Sequence, residues 1–291
     1  MSSYILRNDL IQGSDEWHAW RKGKIGASSV APIMGLSPYC TPLQIWEQFK
    51  FGLVKEKTAA MQRGNDLEEA ARNGLNFLFE DQYSFAPTCV ESPMYDWLIA
   101  SLDGVSFDHT GRIEMACEIK CPGRKDHQMA LMGFVPEHYY PQLQHIMYIL
   151  DLPMMIYWSF DGVSGVHVFC QRDDEFIAKM LKAEIGFMES LRDFTPPEPC
   201  DADWVEDTDP VRIAAAKKYR ELQDREDEIE LEKIRLKGIL TKVPHCRAKI
   251  GSIKVQKILR KGNVDYSRIE MLKTLDLEQY RKPSSESWRI F

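Results

Sequence analysis

The sequence predicts an α/β fold: a mixed β-sheet flanked by helices, followed by an extension made of a long helix and a β-hairpin. Three observations carry this reading. Ile113, Met115, Cys117 and Ile119 recur at every second position, the pattern of a strand with one buried face. Leu67, Ala70, Ala71, Leu75 and Leu78 recur at helical spacing. The elements run helix, three strands, helix, two strands, helix, as in a sheet layered against helices.

Taken in order, residues 14–50 read as short helices broken at Gly23, Gly26, Gly35 and Pro38. Residues 58–80 form one longer helix, with Glu68 beside its apolar face. Strands are predicted at 95–100, 104–109 and 112–120. Pro136 opens a helix that runs to about Leu150, because proline suits a first helical turn. Strands at 154–160 and 165–171 are joined by Asp161-Gly162-Val163-Ser164, and a helix covers 173–193. The stiff segment Thr195-Pro196-Pro197-Glu198-Pro199 marks a boundary between a core at 1–197 and an extension at 198–291. In the extension, Ala215, Tyr219, Leu222, Glu226, Ile229, Lys233, Leu236 and Leu240 are spaced alternately four and three. That is a heptad seam with two polar interruptions, on a helix that either pairs with itself or packs on its own domain. Residues 249–266 read as a basic hairpin turning near Lys261-Gly262-Asn263.

Composition narrows the class. The chain has 291 residues and a formal net charge of −7. No apolar run approaches the roughly 20 residues of a membrane span, and the first residues lack the apolar centre of a signal peptide. Seven cysteines are scattered without a Cys-x-x-Cys pair, so neither a zinc ribbon nor a disulfide framework is expected. A reducing cytoplasm follows from that cysteine usage. Charge is uneven: residues 61–199 hold 10 Lys/Arg against 22 Asp/Glu, whereas 241–291 hold 12 against 5. The basic carboxyl end is where a phosphate backbone could be held.

Asp103, Glu118 and Lys120 carry the chemistry. They occur in Ser101-Leu102-Asp103-Gly104 and Glu118-Ile119-Lys120-Cys121, with a hairpin expected between. Glu118 and Lys120 share a strand face. Mg²⁺ takes oxygen ligands, commonly one or two carboxylates with waters and substrate phosphate. Crowded carboxylates need a cation to stay ionised, and an adjacent lysine can orient water and stabilise developing charge. The arrangement is suited to cutting phosphodiesters. Glu-x-Lys by itself is also an ordinary solvated strand pair.

The triplet has company. Trp17-His18-Ala19-Trp20-Arg21 leads to Gly26-Ala27-Ser28-Ser29 and Ile33-Met34-Gly35. Gly64-Asn65-Asp66-Leu67-Glu68 follows, then the triplet, then Tyr139-x-x-Gln142-x-Gln144. This ordered set resembles the lambda-type phage exonucleases, or YqaJ-like viral recombinase nucleases, of the PD-(D/E)XK superfamily, over roughly residues 10–195. Leu102 stands where the superfamily name has proline.

The resemblance implies roles residue by residue. Asp103, Glu118 and the Ile119 carbonyl would hold metal, with Glu68 as an additional acidic ligand. Lys120 would position or activate the attacking water, and Gln142 would support that water or the lysine. Arg21 and Ser28 would hold a 5′-phosphate, with Ser101 on the same DNA-binding side. Arginine suits phosphate through bidentate contacts, and Ser28 is expected at a helix start, where free N–H groups bind anions. It implies Mg²⁺, with Mn²⁺ as a substitute and two ions in the site. It also implies 5′-to-3′ exonuclease action on linear double-stranded DNA, leaving 3′ overhangs for recombination. Implied partners are duplex ends, a single-strand annealing protein and further copies in a trimer, in a bacterial cytoplasm and of phage origin. The alternatives are a structure-specific endonuclease of the same fold and a non-catalytic recombination scaffold. His127, His138 and His145 fit no short zinc motif. Only Cys200 and Cys246 lie late in the chain, so an iron–sulphur cluster is not expected.

Overall fold

The computed structural model describes residues 4–53, 58–258, 260, 262, 265 and 268–270. The chain divides into two units, Met1–Glu206 and Asp207–Phe291. In chain order the first unit holds β1 (Ile5–Leu6), α1 (Asp15–Arg21), β2 (Ile25–Gly26), α2 (Val30–Ile33), α3 (Pro42–Phe51), α4 (Ala59–Leu78), β3 (Ala86–Glu91), β4 (Leu98–Phe107) and β5 (Ile113–Lys120). It continues with α5 (Arg124–Leu131), α6 (Tyr140–Leu150), β6 (Met154–Phe160), β7 (Gly165–Gln171) and α7 (Asp174–Asp193). The second unit holds α8 (Pro210–Leu240), β8 (Arg247–Ile250) and β9 (Ile253–Gln256).

The expected mixed sheet flanked by helices is present. Its order is β1-β3-β4-β5-β6-β7, with β2 pairing β4 as a short parallel strand. β5 and β6 are parallel, which demands a long crossover, and α5 and α6 make it. One face of the sheet packs Leu98, Ala100, Leu102 and Val105 against Leu143, Ile146 and Met147 of α6. The other packs Met115, Cys117, Ile119, Ile156 and Trp158 against Ala71, Leu75 and Phe79. Helices on both faces make β5 a doubly buried strand, Glu118 included, not the one-sided strand its alternation predicted.

Several boundaries also differ. The strands expected at 95–100 and 104–109 are one continuous β4, so Asp103 lies inside a strand. β3 was not anticipated, because Pro87 within a short run argues against a strand. α5 was not anticipated either. α6 starts at Tyr140 with Pro141 in its first turn, while Pro136 only opens a turn through Tyr139 N–H and its own carbonyl at 2.9 Å. On α4 the covered stripe is Leu67, Ala71 and Leu75, whereas Ala70 and Leu78 are exposed. The second unit has a hairpin that turns at Gly251-Ser252; of the turn expected at Lys261-Gly262-Asn263, Lys261 and Asn263 lie outside the described residues. No helix among the described residues is long and apolar enough to cross a membrane, and no disulfide is formed among the described cysteines.

Candidate active site

A gap in the sheet brings the carboxylates together. β4 and β5 are paired back from Phe107 to Gly104–Cys117. Beyond that point β5 stays on β6 through Glu118–Tyr157, Ile119–Trp158 and Lys120–Ser159. β2 occupies the same edge of β4 only at Leu98–Ile99. Between β2 and β5 the edge is open, and the Asp103 Oδ2 fills it by accepting the Ile119 N–H at 2.8 Å.

A β-bulge aims Asp103. The β3–β4 register slips between Thr88–Leu102 and Ala86–Val105, so Asp103 and Gly104 face the single residue Pro87. Bulges redirect side chains at active sites, and Pro87 has no N–H for the ladder. Gly104 permits the packing: a Cβ there would lie 2.6 Å from Cys117 Sγ and 2.9 Å from Phe85 Cβ. Asp103-Gly104 is a bulge inside a strand.

Glu118 is 1% exposed. Its Oε1 accepts from Lys120 Nζ and from Gln142 Nε2, each at 2.5 Å. Its Oε2 is buried with no hydrogen-bond partner among the described residues, a costly state for a carboxylate oxygen. Burial, then the nearby Glu118 carboxylate, push Asp103 up to about 7. Burial would lower Lys120, but Glu118 and Asp103 outweigh it and hold the ammonium above its ordinary value. Lys120 Nζ also lies 5.5 Å from the Tyr139 ring centroid.

The site therefore has an excess of negative charge and one unused buried oxygen. A hard divalent cation fits both. Asp103 and the Glu118 Oε2 would hold it, with the carbonyl of Ile119, the residue after Glu118, as a further oxygen. Among the described residues no group of three or more His, Cys, Asp or Glu converges as a metal cluster.

Glu68 is engaged elsewhere. It pairs with Arg72 one turn along α4, and Arg72 Nε donates to the Asp103 carbonyl at 2.8 Å. Burial and then Asp103 raise the Glu68 carboxyl, with Arg72 opposing them. Arg72 escaped the sequence reading, although its four-residue spacing from Glu68 was a readable signal.

Arg21, Ser101 and Trp17 form a second cluster. Arg21 Cζ sits 4.4 Å from the Trp17 ring centroid, and Trp17 Nε1 donates to Ser101 Oγ at 2.9 Å. Ser101 lies two residues before Asp103 on β4, so the strand that carries the carboxylate also fixes the tryptophan. A Cβ at Gly26 would lie 3.3 Å from Arg21 Nη2. Burial lowers the Arg21 guanidinium, and no carboxylate pairs with it among the described residues. Ser28 is exposed in a 3₁₀ turn, Ala27–Ser29, that leads into the four-residue α2. No described hydrogen bond joins Ser28 to Arg21 or Ser101.

The histidines act separately. His145 is fully buried, with Nδ1 2.7 Å from Glu184 Oε1 and Nε2 2.9 Å from the Ile99 carbonyl. It ties α6 and α7 to β4. His127 Nδ1 meets Ser159 Oγ at 2.8 Å, and His138 faces Asp126. Gln144 is structural: it donates to the Gln171 carbonyl and accepts the Asp173 N–H.

Known proteins resemble the region that holds this cluster. Residues 16–152 match the YqaJ-like viral recombinase domain. The YqaJ protein of Bacillus subtilis (strain 168) is 25% identical over 192 residues, 63% of this chain and 58% of that protein. Protein D345L of African swine fever virus (strain Badajoz 1971 Vero-adapted) is 28% identical over 165 residues, 48% of this chain and 46% of that protein. The chain thus spans about half the length of these relatives. Among solved structures, the alkaline exonuclease LHK-Exo of Laribacter hongkongensis superposes with a TM-score of 0.51 at 27% identity, covering 62% of this chain and 94% of that one. Its complex with dAMP gives 0.52 at 26% identity.

Proposed function

Residues 16–152 belong to the YqaJ-like viral recombinase domain family, and from that premise we propose that the chain is a Mg²⁺-dependent deoxyribonuclease. It digests the 5′-ended strand of linear duplex DNA and leaves a 3′ single-stranded overhang for strand annealing. The observation that carries this is Glu118: Oε1 is held by Lys120 and Gln142 while Oε2 is buried and unused beside Asp103. Glu184 also has a buried oxygen without a partner among the described residues, but Glu184 faces His145, whereas Glu118 faces a second carboxylate, Asp103, and like charges so placed call for a cation. The LHK-Exo likeness supports exonuclease chemistry.

Each residue has a task. Asp103 and Glu118 supply the oxygen ligands, while Glu68 stays paired with Arg72 on α4. When bound, divalent cations lower the pKa of the attacking water and neutralise charge on the phosphate. Mn²⁺ would substitute, and two ions would serve the attacking and leaving oxygens. Lys120 keeps its proton beside Glu118, orients the water and stabilises charge growing on the phosphate. Gln142 holds Glu118 in place. Arg21, stacked on Trp17, offers a guanidinium without a carboxylate partner to the terminal 5′-phosphate, and Ser28 and Ser101 assist on that side.

The test compares three substrates in Mg²⁺: 5′-phosphorylated linear duplex, hydroxyl-ended duplex and a closed circle. Phosphorylated ends are expected to be digested fastest and the circle not at all. Equal digestion of the circle would replace this reading with an endonuclease.

A further inference from the structure

The hairpin of the second unit sorts its side chains by charge. β8 and β9 pair Arg247 with Gln256, Ala248 with Val255, Lys249 with Lys254 and Ile250 with Ile253. Alternation puts Arg247, Lys249, Lys254 and Gln256 on one face and Ala248, Ile250, Ile253 and Val255 on the other. The two-residue turn Gly251-Ser252 closes it, with Gly251 at a φ of 58°, a conformation glycine adopts without strain. Lys249 and Lys254 thus face each other directly. Like charges so placed destabilise a ladder. No carboxylate pairs with Arg247, Lys249 or Lys254 among the described residues. From residue 241 to 264 the sequence has seven Lys/Arg and no Asp or Glu. Nothing on the hairpin itself offsets this charge, so a polyanion from outside would relieve it.

We propose that this face grips the phosphate backbone of nucleic acid, as a second contact outside the nuclease core. The choice of polyanion rests on the nuclease reading. Residues 61–199, which hold the candidate active site, carry 10 Lys/Arg against 22 Asp/Glu, so that region attracts DNA poorly and a separate cationic element is needed. A two-stranded ribbon is narrow enough to enter a major groove. Three cations and a single amide give a backbone clamp and not a base-reading surface.

The experiment uses the full chain without divalent metal, so that DNA is bound and not cut. Affinity for a fluorescent blunt duplex is measured across a salt series, for the native protein and for Lys249→Gln combined with Lys254→Gln. Each lost phosphate contact removes about 0.9 from the slope of log affinity against log salt, so a fall of about 1.8 is expected. The loss should be the same for unrelated DNA sequences, and the Lys→Arg pair should restore the slope. An unchanged slope in a variant with native circular dichroism overturns the proposal. So does a loss of binding to anionic lipid vesicles with DNA binding intact. The two readings separate cleanly. A protein that cuts no DNA but loses slope keeps this contact and loses the nuclease assignment; one that cuts DNA with unchanged slope does the reverse.

Discussion

Arg72 Nε donates to the backbone carbonyl of Asp103 at 2.8 Å while its other arm holds Glu68. One guanidinium on α4 thus grips the bulge that aims Asp103, the proposed metal ligand, and the side chain of a second acidic residue. Partners that orient metal ligands are worth roughly 10–100-fold in metal affinity. Arg72→Leu should weaken Ca²⁺ binding, followed by calorimetry, by about that factor, with Arg72→Lys intermediate. Unchanged Ca²⁺ affinity would show that Arg72 merely packs.

Removing Lys120 should uncover the cost of the site. Lys120→Ala leaves the Glu118 carboxylate buried against Asp103 without its ammonium. Breaking a buried pair in this way costs about 3–5 kcal/mol. The metal-free variant should melt well below the native protein, and Mg²⁺ should recover more of the loss than it adds to the native protein. DNA cutting should fall by about 10²–10³ even with Mg²⁺ present, as for loss of an electrostatic stabiliser. A variant that cuts DNA normally would remove Lys120 from the chemistry.

The Asp103 shift sets a pH window. Its carboxyl rises from 3.8 to about 7 in the folded, metal-free protein, so between those values the folded state keeps a proton that the unfolded chain releases. Stability from this group is complete below about 3.8 and is lost as pH rises to about 7. Cation binding needs the ionised carboxylate, so metal affinity runs the other way and strengthens across the window. Thermal melts should therefore show a metal-free midpoint that declines with pH, and a Mg²⁺-induced gain that grows. Asp103→Asn should flatten both trends. A Mg²⁺ gain independent of pH would count against Asp103 as a ligand.

Arg21 makes the end-recognition claim testable. Arg21→Ala should erase the advantage of 5′-phosphorylated over hydroxyl-ended duplex while leaving the rate on hydroxyl ends nearly intact. Loss of a charge-assisted contact of about 1.5–3 kcal/mol predicts a fall of roughly 10–100-fold on phosphorylated ends. Trp17→Leu should reproduce part of it, because the indole links Arg21 to Ser101. Equal losses on both substrates would make Arg21 structural.

The sequence by itself determined the residue types of the site and their order. Asp103, Glu118 and Lys120 stood out because metal-assisted phosphodiester chemistry calls for carboxylates beside a cation, Gln142 came only from the resemblance to a nuclease family, and the period-two pattern of β5 put Glu118 and Lys120 on one face. The sheet flanked by helices was readable for the same reason, since local periodicity survives burial. Tertiary structure decided what periodicity cannot encode. The opening between β4 and β5 arises because β5 leaves one neighbour and keeps another, a choice among strands distant in sequence. The bulge at Asp103-Gly104 depends on Pro87 across the ladder, and the tether at Arg72 depends on where α4 crosses the sheet. Burial of Glu118 follows from helices on both faces of β5. These are long-range relations, fixed by which surfaces can be covered at once, and they turn a common strand pattern into a site with one unsatisfied oxygen.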